Sequence, residues 1–233
     1  MKYLLIAAAT LGIAGASSLA NATVFNVSEW TGTCNACNIG DASQQALPSN
    51  PLANGGNGST TVNGTANFTY TAGSLSLDIS SNNTNLNFFN SGGGTIGGFS
   101  GTGVLDNQSD WGNALLSSGS YGNNQNQTTT IFEFTFTTGA MTDLSITHDD
   151  GMSLWLGGSD VCPAPGPVSA ETTDCGALAA GTYNLWYVEA NAAPSVLEVS
   201  GITSVPEPAS LALLGSGLVA FGVARRRRKK LVA

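Results

Sequence analysis

Between Thr23 and Ser204 the chain has no lysine and no arginine. That span of a 233-residue chain holds 14 of its 15 Asp and Glu residues. Without cations, the Glu–Lys pairs four residues apart that support isolated helices cannot form. Histidine is nearly absent too, with His148 as the single copy. A Ser–His–Asp triad or a histidine general base would have to use that residue, and no His-x-x-x-His zinc pair can exist. The G-x-S-x-G turn that presents a nucleophilic serine is also missing. No enzymatic assembly is legible, and no pair of carboxylates is singled out for glycosidase chemistry.

The basic residues sit at the ends. Lys2 precedes the apolar run Leu4 to Ala16, and Ala20-Asn21-Ala22 follows as a small-residue cleavage site. This is the layout of a secretory signal peptide over residues 1–22, with Thr23 as the new N-terminus. At the other end, Ala209 to Ala224 carries no charge, and Arg225, Arg226, Arg227, Arg228, Lys229 and Lys230 follow directly. Sixteen residues make roughly 24 Å of helix, short of a ~30 Å hydrocarbon core, and arginines that snorkel narrow the gap. A cation cluster stays on the cytoplasmic side, so residues 23–204 belong on the far side of the membrane. Nucleic acid is not an expected partner.

Pro206-Glu207-Pro208 stands immediately before that apolar run. Two prolines keep the segment extended and accessible. The order of motif, apolar segment and arginine cluster across residues 205–233 resembles the PEP-CTERM sorting signal of Gram-negative bacteria. The resemblance implies recognition by an exosortase, with Glu207 in the recognised motif. It also implies export across the inner membrane as a membrane-anchored precursor, and association with exopolysaccharide and biofilm material.

Four cysteines, Cys34, Cys37, Cys162 and Cys175, suit two disulfides in an exported chain. Nearest-neighbour pairing joins Cys34 to Cys37 and Cys162 to Cys175. A four-cysteine zinc site and a redox-active C-x-x-C are the alternatives. The redox reading lacks a surrounding βαβ pattern and a nearby basic group. The proline-rich segment between Cys162 and Cys175 reads as a loop.

The exported part reads as one all-β domain of antiparallel sandwich type. "SLSLDIS" (74–80) places Leu75, Leu77 and Ile79 on one face, and "IFEFTFT" (131–137) places Phe132, Phe134 and Phe136 on one face. "LSITH", "SLWLG", "YNLWYVE" and "VLEVSG" follow at roughly ten-residue spacing, which suits a sandwich. Residues 81–127, rich in Gly, Asn and Ser, predict long loops and edge strands rather than core.

"HDDGMSLWLGG" (148–158) carries the chemistry. Adjacent aspartates converge on one cation only through an unusual backbone, and Ca2+ is a hard ion that gathers oxygen ligands. Gly151 permits a tight reversal. From about Thr129 to Gly201 the order of "DDG", "SLWLGG", "AGTYNLWYVEA" and "SVLEV" resembles the second half of PA14-like domains. The resemblance implies that Asp149 and Asp150 ligate Ca2+, which in turn holds sugar hydroxyls, with Asn191 as a third candidate ligand. It departs from the pattern in having Gly157-Gly158 in place of a "DG" turn, and in an insertion carrying Cys162 and Cys175. The competing reading is that DDG is only a turn. His148, sharing a face with Leu144 and Ile146, is expected to be partly buried at a strand end. Trp155 and Trp186 are either sugar-stacking platforms or cover for the sheet's second face.

Overall fold

A computed structural model describes residues 22–79, 89, 92–105, 125–190 and 194–202. The leader (1–21), the segments 80–88, 90–91, 106–124 and 191–193, and the tail from 203 onward lie outside the described residues. The expected signal peptide and the C-terminal apolar segment both fall within those stretches. Among the described residues no helix is long and apolar enough to cross a membrane.

Among the described residues eleven strands form two antiparallel sheets, as the alternation predicts. In chain order they are β1 (Thr23–Cys37), β2 (Thr60–Ala72), β3 (Leu75–Ile79), β4 (Thr95–Gly103), β5 (Gln125–Thr138), β6 (Met141–Asp149), β7 (Met152–Leu156), β8 (Ser159–Ala164), β9 (Glu171–Leu178), β10 (Gly181–Glu189) and β11 (Ser195–Ser200). The large sheet has the order β4-β2-β1-β5-β10-β7-β8, and the small one β3-β11-β6-β9.

One apolar core lies between them. Phe132, Phe134 and Phe136 from β5 point inward beside Leu185 and Tyr187 of β10 and Phe25 of β1. Leu77 of β3, Ile146 of β6 and Leu197 of β11 meet them from the small sheet. Rings dominate: Phe132 stacks on Tyr187 at 6.0 Å, and Phe136 on Tyr183 at 6.0 Å. Such pairs contribute about 0.5–1.5 kcal/mol beyond their buried area.

Three features depart from the sequence reading. First, β1 and β2 are long inner strands of the large sheet, although their Thr- and Asn-rich sequences did not single them out. Their alternation is real, with Phe25, Val27, Ala66, Phe68 and Tyr70 buried. Second, the Gly-rich stretch supplies core as well as loop. Phe89 is fully buried and meets Phe68 edge-on at 5.0 Å, Leu105 is buried, and β4 forms the expected edge strand. Third, the segment between Cys162 and Cys175 is loop only over 165–170, because β8 runs through Pro163 and β9 begins at Glu171. Proline is tolerated there because β8 is an edge strand, where a missing N–H breaks no ladder.

The cysteines pair Cys34–Cys37 and Cys162–Cys175, with none free. The pairing takes the place of the four-cysteine zinc alternative. Cys162 lies on β8 and Cys175 on β9, the neighbouring edges of the two sheets, so this bridge ties one layer to the other. Closing a loop of about 13 residues contributes roughly 3 kcal/mol on the chain-entropy view. Replacing Cys162 and Cys175 together by serine is expected to lower stability by about that amount, read as a fall of the thermal midpoint on the order of 10 °C.

Glu29 interrupts the apolar face of β1. It lies between Ala66 and Phe132 on the flanking strands and is 1 % exposed. Neither carboxylate oxygen has a hydrogen-bond partner among the described residues. Burial pushes its pKa from 4.5 to about 8. Between those values the folded state holds a proton that the unfolded state releases. The contribution of Glu29 to stability is therefore fully present below pH 4.5 and is lost as the pH rises towards 8. Glu29→Gln is expected to flatten that slope, so that in thermal melts the variant unfolds above the parent at about pH 9 and close to it at about pH 4.

Candidate functional site

The DDG turn joins β6 of the small sheet to β7 of the large one, so it bridges the layers at one end of the sandwich. The peptide between Asp149 and Asp150 is cis. Gly151 is required by close approach rather than by reversal alone. A Cβ there would stand 2.2 Å from the carbonyl oxygen of Pro165. The hairpin that follows turns at Gly157-Gly158, both at positive φ, with Leu156 facing Ser159. That is the geometry a two-residue turn of this kind demands, and two glycines meet it as well as an Asp-Gly pair.

Each backbone carbonyl of the turn is held. The Tyr187 hydroxyl donates to the Asp149 carbonyl oxygen. His148 Nδ1 lies 2.5 Å from the Asp150 carbonyl oxygen, so this nitrogen carries a proton, and Nε2 lies 2.8 Å from Thr173 Oγ1. Asp150 Oδ2 accepts the Ala190 N–H at 2.7 Å, and Val188 N–H donates to the Gly151 carbonyl at 3.0 Å. β10 and the residue directly after it thus supply three of the clamps. His148 is fully buried with Leu144 and Ile146, deeper than the partial burial expected at a strand end. Both its ring nitrogens are engaged within the protein.

The carboxylates do not stand on an exposed tip. Asp149 is 5 % exposed and Asp150 fully buried, and Glu189, which sequence reasoning did not single out, is 1 % exposed beside them. The Tyr187 hydroxyl is 3.5 Å from Glu189 Oε2. Burial pushes the Tyr187 hydroxyl well above its usual range, and the carboxylates of Glu189, Asp150 and Asp149 push it further. Burial also raises the Asp149 carboxyl, with the Ala170 N–H and His148 pulling part of the way back. Glu189 could have been found from its spacing, since it continues the inward-facing series Tyr183, Leu185, Tyr187 on β10.

Asn191 lies outside the described residues. Among the described residues no three His, Cys, Asp or Glu side chains are grouped to hold a metal ion. Asp149 and Asp150 adjoin in the turn, with Asp149 on the Ala170 N–H and Asp150 on the Ala190 N–H, so further oxygens for a cation would have to come from backbone, water or ligand. Trp186 is 6 % exposed and stacks on Trp30 at 5.8 Å. Together with Ile131 and Val188 they form an apolar layer on the outer face of the large sheet, covered by Ala46 and Leu52 from the segment between β1 and β2. Trp155 remains half-buried, with its indole N–H on Ser153 Oγ at 2.8 Å. A groove of about 320 Å3 lies elsewhere, on the outer side of the small sheet along Ser76, Thr147 and Glu198.

Residues 204–229 match the PEP-CTERM protein-sorting motif. This signal implies an exported protein, processed at the membrane by an exosortase. The match lies in the tail and leaves the sandwich unassigned. No curated protein matches the chain in sequence. Two solved structures are similar over most of it. A PA14 sugar-binding domain from an RTX adhesin shares 13 % identity, with 77 % of this chain and 86 % of that one covered, at a TM-score of 0.36. The PA14 domain of the antifreeze protein MpAFP shares 14 % identity, with 76 % and 81 % covered, at a TM-score of 0.37.

Removing the Tyr187 hydroxyl leaves the buried Asp149 carbonyl without that donor, a loss of about 1–3 kcal/mol. Tyr187→Phe is expected to lower the denaturation midpoint accordingly with an unchanged denaturant slope, measured by urea unfolding.

Proposed function

We propose that the chain with this PEP-CTERM tail is a non-enzymatic surface or matrix protein that binds carbohydrate in a Ca2+-dependent way at the Asp149–Asp150 turn. The observation that carries the reading is the charge imbalance at that turn. Asp149, Asp150 and Glu189 are buried at one end of the sandwich, and the exported span has no lysine or arginine to offset them. Buried carboxylates are stable only when paired, bound to a metal or protonated. A divalent cation supplies the missing charge, and Ca2+ accepts the mixture of carboxylate, carbonyl and water oxygens such a site offers. A bound Ca2+ with open coordination positions would then hold vicinal sugar hydroxyls. Export through an exosortase route supports a role among exopolysaccharide and biofilm material. The lone histidine, with both ring nitrogens engaged inside the protein, supports a role other than catalysis.

A ligand-free structural role is the second reading, favoured by the burial of both aspartates. Titration calorimetry separates them. The protein is expected to give a saturable heat with CaCl2, and the Asp149→Asn, Asp150→Asn double variant none. At free Ca2+ about 100-fold above its dissociation constant, the stabilisation is about 2.7 kcal/mol. Equal heats from both proteins, or no heat from either, would leave the structural reading.

A further inference from the structure

The outer faces of the two sheets differ in chemistry. That of the small sheet is acidic, carrying Asp78, Asp143, Asp174 and Glu198 among hydroxyl pairs such as Ser145–Ser200 and Thr147–Thr172. That of the large sheet carries Asp160 beside Trp155 at the β8 edge and one carboxylate, Glu133, near its centre. Around it lies a grid fixed by register. One row crosses Asn67, Ser28, Glu133 and Trp186, and the next crosses Thr69, Asn26, Thr135, Asn184 and Trp155. The five strands β2, β1, β5, β10 and β7 span about 19 Å at ~4.8 Å each.

The grid is partly pre-arranged. Ser28 Oγ donates to Asn67 Oδ1 at 2.9 Å, and Asn184 Nδ2 donates to Glu133 Oε1. Asn26 and Asn67 stay exposed. At the end of the second row Trp155 is partly buried, packed against the layer of Ile131 and Trp186 and held at its edge by Ser153.

We propose that this face is a second binding surface, which takes a neutral polysaccharide lying across the strands. Three features select that occupant. Amides and hydroxyls both give and accept hydrogen bonds, as sugar hydroxyls require. Glu133 offers acceptor oxygens to a hydroxyl pair and repels an anionic polymer, for which the face has no cation. A fixed indole supplies an apolar platform for a ring's C–H face. The surface rests on the carbohydrate-binding reading but is independent of the Asp149–Asp150 site and of Ca2+ there.

The test is affinity electrophoresis of the full-length protein in CaCl2, through gels containing dextran, laminarin or hydroxyethyl cellulose, with polygalacturonate as the anionic control. At least one neutral glucan is expected to retard the protein, and polygalacturonate is not. Trp155→Ala, and separately Asn26→Ala with Thr135→Ala on exposed and half-buried positions, should each weaken retardation at least five-fold while the Ca2+ heat is retained. The inference is overturned if no neutral glucan retards the protein, if polygalacturonate retards it equally, or if both face variants migrate as the parent does. Retardation lost only in the Asp149→Asn, Asp150→Asn variant would also overturn it, assigning sugar binding to the turn instead.

Discussion

A carboxylate buried in a body that contains no lysine or arginine is the constraint around which this protein is organised. Elsewhere, a buried acid is met by a guanidinium or ammonium from a neighbouring element. Here that solution is closed across the whole exported span. Two outcomes are seen on the inner face of one sheet and the turn beside it. Glu29, alone among apolar neighbours, is held in its neutral form at neutral pH by desolvation. Asp149, Asp150 and Glu189 lie instead near one tyrosine hydroxyl, with the Ala170 N–H on Asp149 and the Ala190 N–H on Asp150. The chain's lysines and arginines are confined to its two ends.

The fold makes this arrangement. A turn that passes from one sheet to the other is gripped on both sides: by Tyr187 and Val188 of β10 and the adjoining Ala190, and by His148 and Thr173 of the small sheet's β6 and β9. The layers cannot slide apart at the neighbouring edges because Cys162 and Cys175 link β8 to β9. The outer side of the large sheet beside this end is closed in turn by Trp30, Trp186 and the segment carrying Ala46 and Leu52. Ser153 ties that cover down, its hydroxyl donating to the Ala46 carbonyl. The site is thus pressed between two apolar layers, which is why its aspartates are buried.

Where alternation used large apolar residues, the sequence spoke clearly. The strands around Leu75, Phe132–Phe136, Ile146, Leu154, Leu185 and Leu197 are all present, and Leu75, Leu77, Phe132, Phe134 and Phe136 face inward as expected. Where the inward positions carry Ala66 or Glu29 and the outward ones Thr and Asn, the period was real but faint, and β1 and β2 passed unread. The buried acid was itself part of the masking, since Glu29 occupies a core position that a hydrophobic pattern counts as surface. Phe89 was hidden by its composition: one aromatic in an Asn- and Gly-rich stretch looks like loop, yet it fills the core against Phe68 and Tyr70. The DDG motif was legible as a candidate, and its burial was not, because the residues that cover it come from β9, β10 and the segment after β1. Glu189 lay two positions from the candidate Asn191 and was legible only by extending the inward series of β10.

Native mass spectrometry of the protein purified without chelator tests the central claim most directly, since it reports whether the missing counter-charge is carried. The account requires a bound divalent ion on the folded protein, removed by EDTA with a fall in melting temperature and restored by Ca2+. A metal-free mass at millimolar Ca2+, with the same melting temperature in EDTA, would contradict it.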